Sequence, residues 1–247
     1  MVLSMDRWVG KIAMVTGASS GIGAAIAEQL VRNGLIVVGL ARRKEKVEEL
    51  VNKLKDNKGV LYAYKCDMTK EAEILAAFKW IADNLGPVSI LVNNAGLIKP
   101  TDLIGGDTAA WKTVLDTNVL GLCIATREAI NQMKDRQSDG HIIHINSVAG
   151  HRVYDFPKFN VYCATKHAVS ALAETLRFEI NREHLKIKIT SVSPGYVDTE
   201  ILQNGIHGDF SVALQAGDIA DACIYALSTP PHVQVSEVTV RPMGESF

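Results

Sequence analysis

The sequence has almost no net charge, with 26 lysines and arginines against 27 aspartates and glutamates in 247 residues. Without a basic excess there is no electrostatic footprint for nucleic acid, and none is expected as a partner. Cysteine is scarce as well. Cys66, Cys123, Cys163 and Cys223 lie far apart and form no Cys-x-x-Cys pair, which argues against a disulfide framework or a zinc site and leaves free thiols with no metal. Long apolar runs are missing: Met1 to Val9 holds one early Arg and no apolar run before Lys11, so neither a secretory leader nor a membrane span is expected. The ending Glu245-Ser246-Phe247 matches no retention or peroxisomal address. These absences describe a soluble cytoplasmic protein without integral membrane association. No Pro/Gly/Ser-rich linker, repeat or low-complexity tract interrupts the chain, so 1–247 reads as a single domain.

What is present is alternation. Short apolar β-type runs at 11–16, 35–40, 60–65, 89–92, 141–146, 186–192 and 234–240 alternate with helical patterns opening near Gly21, Lys44, Lys70, Thr108, Phe159 and Gly217. Runs such as Ile36-Val37-Val38-Gly39-Leu40 are apolar on both parities, as strands buried on both faces must be. The fold class is therefore α/β: a doubly wound, Rossmann-type parallel sheet of about seven strands with helices on both faces. In that architecture ligands bind beyond the carboxyl ends of the strands, so those ends are where chemistry is sought.

The first end carries Thr16-Gly17-Ala18-Ser19-Ser20-Gly21-Ile22-Gly23. Glycines permit a tight turn and close backbone approach, and a helix N-terminus offers free N–H groups to a pyrophosphate. Gly17, Ser19, Ser20, Gly21, Ile22 and Gly23 are thus expected to cradle a dinucleotide. The second end reads Ala41-Arg42-Arg43, where an NAD enzyme would place an acid against the ribose hydroxyls. Two guanidiniums can instead bind a 2′-phosphate, which selects NADP(H), with Arg42 the leading contact and Arg43 beside it. Asp67 ends the third strand, with Met68 next to it, and is expected to accept from the adenine amino group or to cap the next helix. Asn94, Ala95 and Gly96 follow the fourth strand, where small and amide residues pack beside the cofactor and satisfy backbone groups. Pro194-Gly195 turns the chain off the sixth strand, and the stretch with Val197 and Thr199 is expected to meet the nicotinamide.

Ser147 stands at the end of the fifth strand, placed to donate to a substrate oxygen, and no Gly-x-Ser-x-Gly elbow surrounds it, which excludes a hydrolase nucleophile. His141 and His144 differ by three, face opposite ways in a strand, and read as structural. Asn118 sits inside a helical pattern that does not favour Asn, so its amide serves either a core hydrogen bond or a water in a proton relay. Tyr162 and Lys166 are four apart on a helix, a spacing at which an ammonium can favour the ionised phenol and make it a usable proton-transfer group. Residues 200–216 form a long apolar stretch, expected to be a lid or a turn capping the core.

Together, in this order, residues 16–23, 93–96, Asn118, Ser147, Tyr162-x-x-x-Lys166 and Pro194-Gly195 resemble the short-chain dehydrogenase/reductase family across nearly the whole chain. The resemblance implies that Tyr162 is the general acid/base, that Lys166 lowers its pKa and holds the nicotinamide ribose, and that Ser147 polarises the substrate oxygen. It implies that Asn118 holds a relay water, and that copies pair as homodimers or homotetramers through the helices expected at 108–133 and 160–181. The gap between Ser147 and Tyr162 is slightly longer than the commonest form, which places a small insertion at 153–159, at the substrate mouth. Gly150-His151-Arg152-Val153 and the ending around Leu227 to Gln234 and Arg241-Pro242 look like the member-eleven group and the insect farnesol dehydrogenases related to it. The expected substrate is a hydrophobic alcohol or carbonyl compound, an isoprenoid alcohol such as farnesol first and a ketosteroid or hydroxysteroid second. A catalytically idle NADPH-binding regulator is the alternative of a different class.

Overall fold

The computed structural model describes residues 3–135, 139–203 and 212–244. Seven strands, β1 (Ile12–Thr16), β2 (Ile36–Ala41), β3 (Val60–Lys65), β4 (Val88–Asn93), β5 (Gly140–Ile145), β6 (Ile187–Pro194) and β7 (Glu237–Val240), form one sheet in the order β3-β2-β1-β4-β5-β6-β7. Every pairing is parallel. The order reverses between β1 and β4, so the crevice of a doubly wound sheet opens there.

Side-chain parity divides the core into two layers. Ala13, Val15, Val37, Ile90, Val92 and Ile143 face the layer under α1 (Gly21–Arg32), α2 (Lys44–Leu54) and α8 (Ala216–Ser228). Met14, Val38, Leu40, Leu91, Ile142 and Ile189 face α3 (Glu71–Asn84), α5 (Gly121–Asp135) and α6 (Asn160–Arg182). A period of two feeding two apolar layers is what the doubly apolar runs required. Burial of this kind contributes about 25 cal/mol for each Å² of apolar surface removed from water. The N-terminal segment is fastened to the far end of the chain, Ser4 N–H donating to Ser228 O (3.0 Å) and the Trp8 indole N–H to Leu227 O (2.9 Å). Among the described residues, no helix is long and apolar enough to cross a membrane.

Two differences from the sequence reading go beyond a shift of one or two residues. β7 starts at Glu237 rather than Gln234, because the Gln234 side chain takes the place of strand pairing: its Oε1 accepts from Ile189 N–H (3.2 Å) and its Nε2 donates to Ile189 O (2.6 Å). The helix expected from Thr108 runs as α4 (Thr108–Leu115), a π-helical turn (Asp116–Leu120) and then α5. The widened turn is the place of Asn118.

His141 and His144 do project to opposite faces of β5, and both are buried. His141 Nε2 lies 2.8 Å from the Thr190 hydroxyl, which itself donates to Val235 O, so the ring nitrogen is the donor. His144 Nδ1 lies 3.2 Å from Asn93 Nδ2 and accepts from it. Burial, with the Arg177 and Lys166 cations nearby, pushes His144 down to about 3, and burial likewise holds His141 well below the ordinary imidazole value. A base depressed in the folded state binds its proton more readily in the unfolded chain, so stability is full above an ordinary His pKa of about 6.5 and is lost as pH falls. At about pH 5 His144 alone should cost about 2 kcal/mol. Melts near pH 7 and near pH 5 should show His144→Gln losing less between the two than the parent chain; an equal loss would place the acid sensitivity elsewhere.

Candidate active site

The turn between β1 and α1 is shaped by what it must pass. Gly17 has φ +70°, a conformation glycine adopts freely, and a Cβ there would stand 2.9 Å from Ala95 Cα. At Gly23 a Cβ would come within 2.4 Å of both Gly17 O and the Asn94 amide. The bracket holding this turn comes from the end of β4. Asn94 Nδ2 donates to Thr16 O (2.9 Å) and Gly17 O (3.2 Å), while Asn94 N–H and Ala95 N–H both donate to the Thr16 hydroxyl (3.0 and 2.9 Å). The amide expected beside a cofactor therefore also serves the backbone groups at the sheet edge, as its residue type allows.

A cavity of about 500 Å³ opens over the carboxyl ends of the strands. Every site residue read from the sequence borders it, from Gly17 through Arg42, Asp67, Gly96, Ser147, Tyr162 and Lys166 to Thr199, except Asn118. Ile98, Thr117, Asn146 and Tyr196 border it too and were not assigned from the sequence; Tyr196 lay in plain view beside Pro194-Gly195, but an apolar lining position has no spacing rule to announce it. Two buried acceptors on this wall, Asn146 Oδ1 and Thr117 Oγ1, have no protein partner among the described residues. The Ser20 side chain caps no N–H of α1. A glycine cradle, an uncapped helix N-terminus and orphaned polar atoms in one cavity fit a dinucleotide.

At the end of the cavity beyond β2 the two arginines differ. Arg43 is engaged, donating to Glu200 (2.7 Å), Ser20 (3.1 Å) and Ser19 (3.4 Å). Arg42 makes no hydrogen bond or ion pair among the described residues and lies close enough to Asp67 to help hold that carboxyl below its ordinary value. Asp67 Oδ1 accepts from Thr69 N–H and from the Thr69 hydroxyl (3.0 and 2.9 Å), closing a local turn ahead of α3; it does not cap that helix, whose N-cap is Lys70. Glu200 opens the segment read as a lid, beginning with a short helix, α7 (Glu200–Gln203). The feet of that segment are pinned, Asp198 N–H donating to Leu214 O and Leu214 N–H to Tyr196 O, both 2.8 Å. Ile206 and Phe210, central to the lid expectation, lie outside the described residues.

At the other end Tyr162 and Lys166 sit one turn apart on α6, as spaced. The Tyr162 hydroxyl is hydrogen-bonded to Ser147, and Lys166 Nζ donates to Ile145 O (2.8 Å), 5.6 Å from the centre of the Tyr162 ring. Here the structure corrects the expected electrostatics. Burial dominates both groups: it raises Tyr162 to about 12, against the lowering by its Ser147 hydrogen bond, and pushes Lys166 down to about 8. The ammonium is aimed at a carbonyl rather than at the phenol oxygen, so it does not bring the phenol down. Asn118 makes the core hydrogen bonds that are one of its two expected roles. Its Oδ1 accepts from Leu97 N–H (2.9 Å), and its Nδ2 donates to Leu97 O (3.0 Å) and to the Thr165 hydroxyl (3.1 Å). Those N–H groups tie the loop after β4 to α6 and are not free to hold a water.

Aromatic rings complete the wall. Phe159 stands 4.8 Å from Tyr162, Phe156 5.9 Å from Phe159 and 6.3 Å from Tyr196, and Tyr154 6.1 Å from Phe156, centre to centre. The loop holding them is taut at Lys158, whose φ of 62° is unusual for a side-chain-bearing residue. Among the described residues no cluster of His, Cys, Asp and Glu suits a metal ion.

The profile of the family described as short chain dehydrogenase matches residues 11–208. This chain belongs to that family. Its membership makes it an oxidoreductase, and the short-chain dehydrogenase fold is shared with solved structures. It is 52% identical over 245 residues to a protein of Aedes aegypti named farnesol dehydrogenase, covering 98% of this chain and all of that one. It is 44% identical over 250 residues to mouse dehydrogenase/reductase SDR family member 11, covering 96% of each. An alcohol dehydrogenase of the archaeon Thermococcus sibiricus, solved with 5-hydroxy-NADP, superposes with a TM-score of 0.85 at 26% identity, over 94% of this chain and 97% of the other. A serine dehydrogenase solved with NADP+ gives 0.83 at 32% identity, over 93% and 94%.

Proposed function

We propose that this short-chain dehydrogenase uses NADP(H) to interconvert a hydrophobic alcohol and its carbonyl compound, with an isoprenoid alcohol such as farnesol as substrate. The observation that carries the reading is one cavity with Arg42 at one end and, at the other, the bonded hydroxyls of Ser147 and Tyr162 facing a wall of aromatic rings. The likeness to the mosquito farnesol dehydrogenase supports the substrate, and relatives solved with NADP cofactors support the dinucleotide.

NADP(H), when bound, supplies or accepts the hydride. The chain does the rest. Gly17, Ser19, Ser20, Gly21, Ile22 and Gly23 would hold its pyrophosphate and Arg42, with Arg43, its 2′-phosphate. Asp67 and Met68 would flank adenine, while Asn94, Ala95, Gly96, Pro194, Gly195, Val197 and Thr199 would border the ribose and nicotinamide. Ser147 and Tyr162 present two hydroxyls to one substrate oxygen. Raised by burial, Tyr162 stays protonated at neutral pH and arrives as a proton donor. Lys166, near 8, exchanges protons close to neutrality and can take up or return a proton beside the phenol. Asn118 braces Thr165, the residue before Lys166. Exposed Leu115 at the end of α4, Leu120 in the π-helical turn and Phe178 on α6 support assembly of copies as a dimer or tetramer.

The test is a product-resolved assay of the purified protein with farnesol and NADP+, farnesol and NAD+, and 3- and 17-ketosteroids with NADPH. Farnesal should form, faster with NADP+. Turnover of the steroids without farnesol would move the substrate to the steroid class, and NADPH binding without turnover on any arm would favour the idle regulator.

A further inference from the structure

We propose that His151 and Glu237 are positioning residues that fix the aim of Ser147. The inference rests on the functional reading above, which gives Ser147 its role. Ser147 leaves β5 and opens a 3-10 turn (Val148–Gly150), its hydroxyl accepting from Ala149 N–H at 3.1 Å. That turn is gripped from two sides.

On the α6 side, the Ser170 hydroxyl donates to Gly150 O (2.9 Å) and itself accepts from Asn146 Nδ2 (2.9 Å). Gly150 is needed there, since a Cβ would stand 2.8 Å from Lys166 O. On the opposite side, His151 closes the turn, its N–H donating to Val148 O (3.0 Å), and its ring reaches the sheet edge. His151 Nε2 lies 2.7 Å from Glu237 Oε1 and 3.1 Å from the Ser193 hydroxyl, and that hydroxyl donates to the same Glu237 oxygen at 2.6 Å. Glu237 is the first residue of β7, paired in register with Ser191 of β6. Ser193 immediately precedes Pro194-Gly195.

A serine, an imidazole and a carboxylate in contact invite comparison with a nucleophilic triad, but the geometry excludes it. Ser193 is fully buried, bonds directly to the carboxylate and does not border the cavity. What the knot joins is the Ser147 turn to the β6–β7 edge, at the strand that also delivers the Pro194-Gly195 turn. Both side chains are over a third exposed, 38% for His151 and 37% for Glu237, so the pair adds little to global stability. Its effect falls on the turn it holds. Only three residues separate His151 from Ser147, and a small tilt of that short turn carries the serine hydroxyl off its Tyr162 partner. Misplacement by about 1 Å can cost a hundredfold in rate.

The experiment is a double-mutant cycle on the holoenzyme, with the substrate found active above. His151→Ala should lower kcat about tenfold while KM for the dinucleotide co-substrate stays within about twofold. His151→Gln, which keeps a side-chain N–H, should restore part of the loss. In a Ser147→Ala background the same His151→Ala change should cost less than about twofold, because the serine it aims is gone. An equal loss in both backgrounds, or an unchanged kcat in His151→Ala, would overturn the proposal. Should His151→Ala fail to fold, Glu237→Gln carries the cycle, with the same non-additivity expected and additivity overturning it. A Ser147→Ala enzyme with full turnover would instead refute the role of Ser147 itself, a result separable from the other two.

Discussion

Replacing Tyr162 by Phe should lower kcat by about a hundred- to ten-thousandfold and leave NADPH binding within about twofold. The asymmetry follows from where the hydroxyl is. It is hydrogen-bonded to Ser147 and buried, with its ring packed on Phe159 at 4.8 Å, so Phe fills the same volume and keeps the same neighbours. Only the proton is lost. Lys166 keeps its bond to Ile145 O, since that bond does not involve the phenol. Single-turnover rates beside cofactor fluorescence titration separate the two effects. Retained turnover would remove Tyr162 from the chemistry, and loss of binding with turnover would make it a cofactor contact first.

Arg42→Asp should lower kcat/KM with NADPH by a hundredfold or more, roughly, and leave or improve kcat/KM with NADH. A guanidinium on a phosphate makes paired, charge-assisted hydrogen bonds worth about 1.5–3 kcal/mol each, and an aspartate there adds repulsion to their loss. Arg42 is singled out over its neighbour by what each already holds. Arg43 spans Ser19, Ser20 and Glu200, whereas Arg42 is uncommitted to any hydrogen bond among the described residues. Arg43→Gln should therefore cost less with NADPH than Arg42→Asp. If the order of the two is reversed, Arg43 rather than Arg42 carries the discrimination.

The fold was legible because a doubly buried parallel sheet writes itself as apolar runs separated by helix starts. Strand β3 was bounded at the same residues, and β1 and β2 within one residue. The lining of the candidate site was legible for the same topological reason, since a strand's carboxyl end can be found from its sequence and Ser147, Asp67 and Asn94 stand at such ends and border one cavity. What could not be read is set by the third dimension. No spacing tells that Gln234 replaces a strand with its side chain, that Asn118 spends both N–H groups on Leu97 and Thr165, or that burial outweighs a cation four residues away at Tyr162. Nor does sequence separation bring His151 to Glu237, which are far apart in the chain and 2.7 Å apart in space.

The strand order has a consequence for how the protein comes into being. β1, β2, β3 and β4 are contiguous in the sheet and complete by Asn93, and between them they supply the glycine turn, Arg42, Asp67 and the Asn94 bracket. A chain leaving the ribosome N-terminus first presents these four strands before β5 is made. Ser147, Tyr162 and Lys166 arrive only with the second half, and the last closure, Ser4 and Trp8 onto the end of α8, waits until Leu227 and Ser228 have emerged. Synthesis thus delivers the strands that carry the glycine turn before the strand that leads to Ser147.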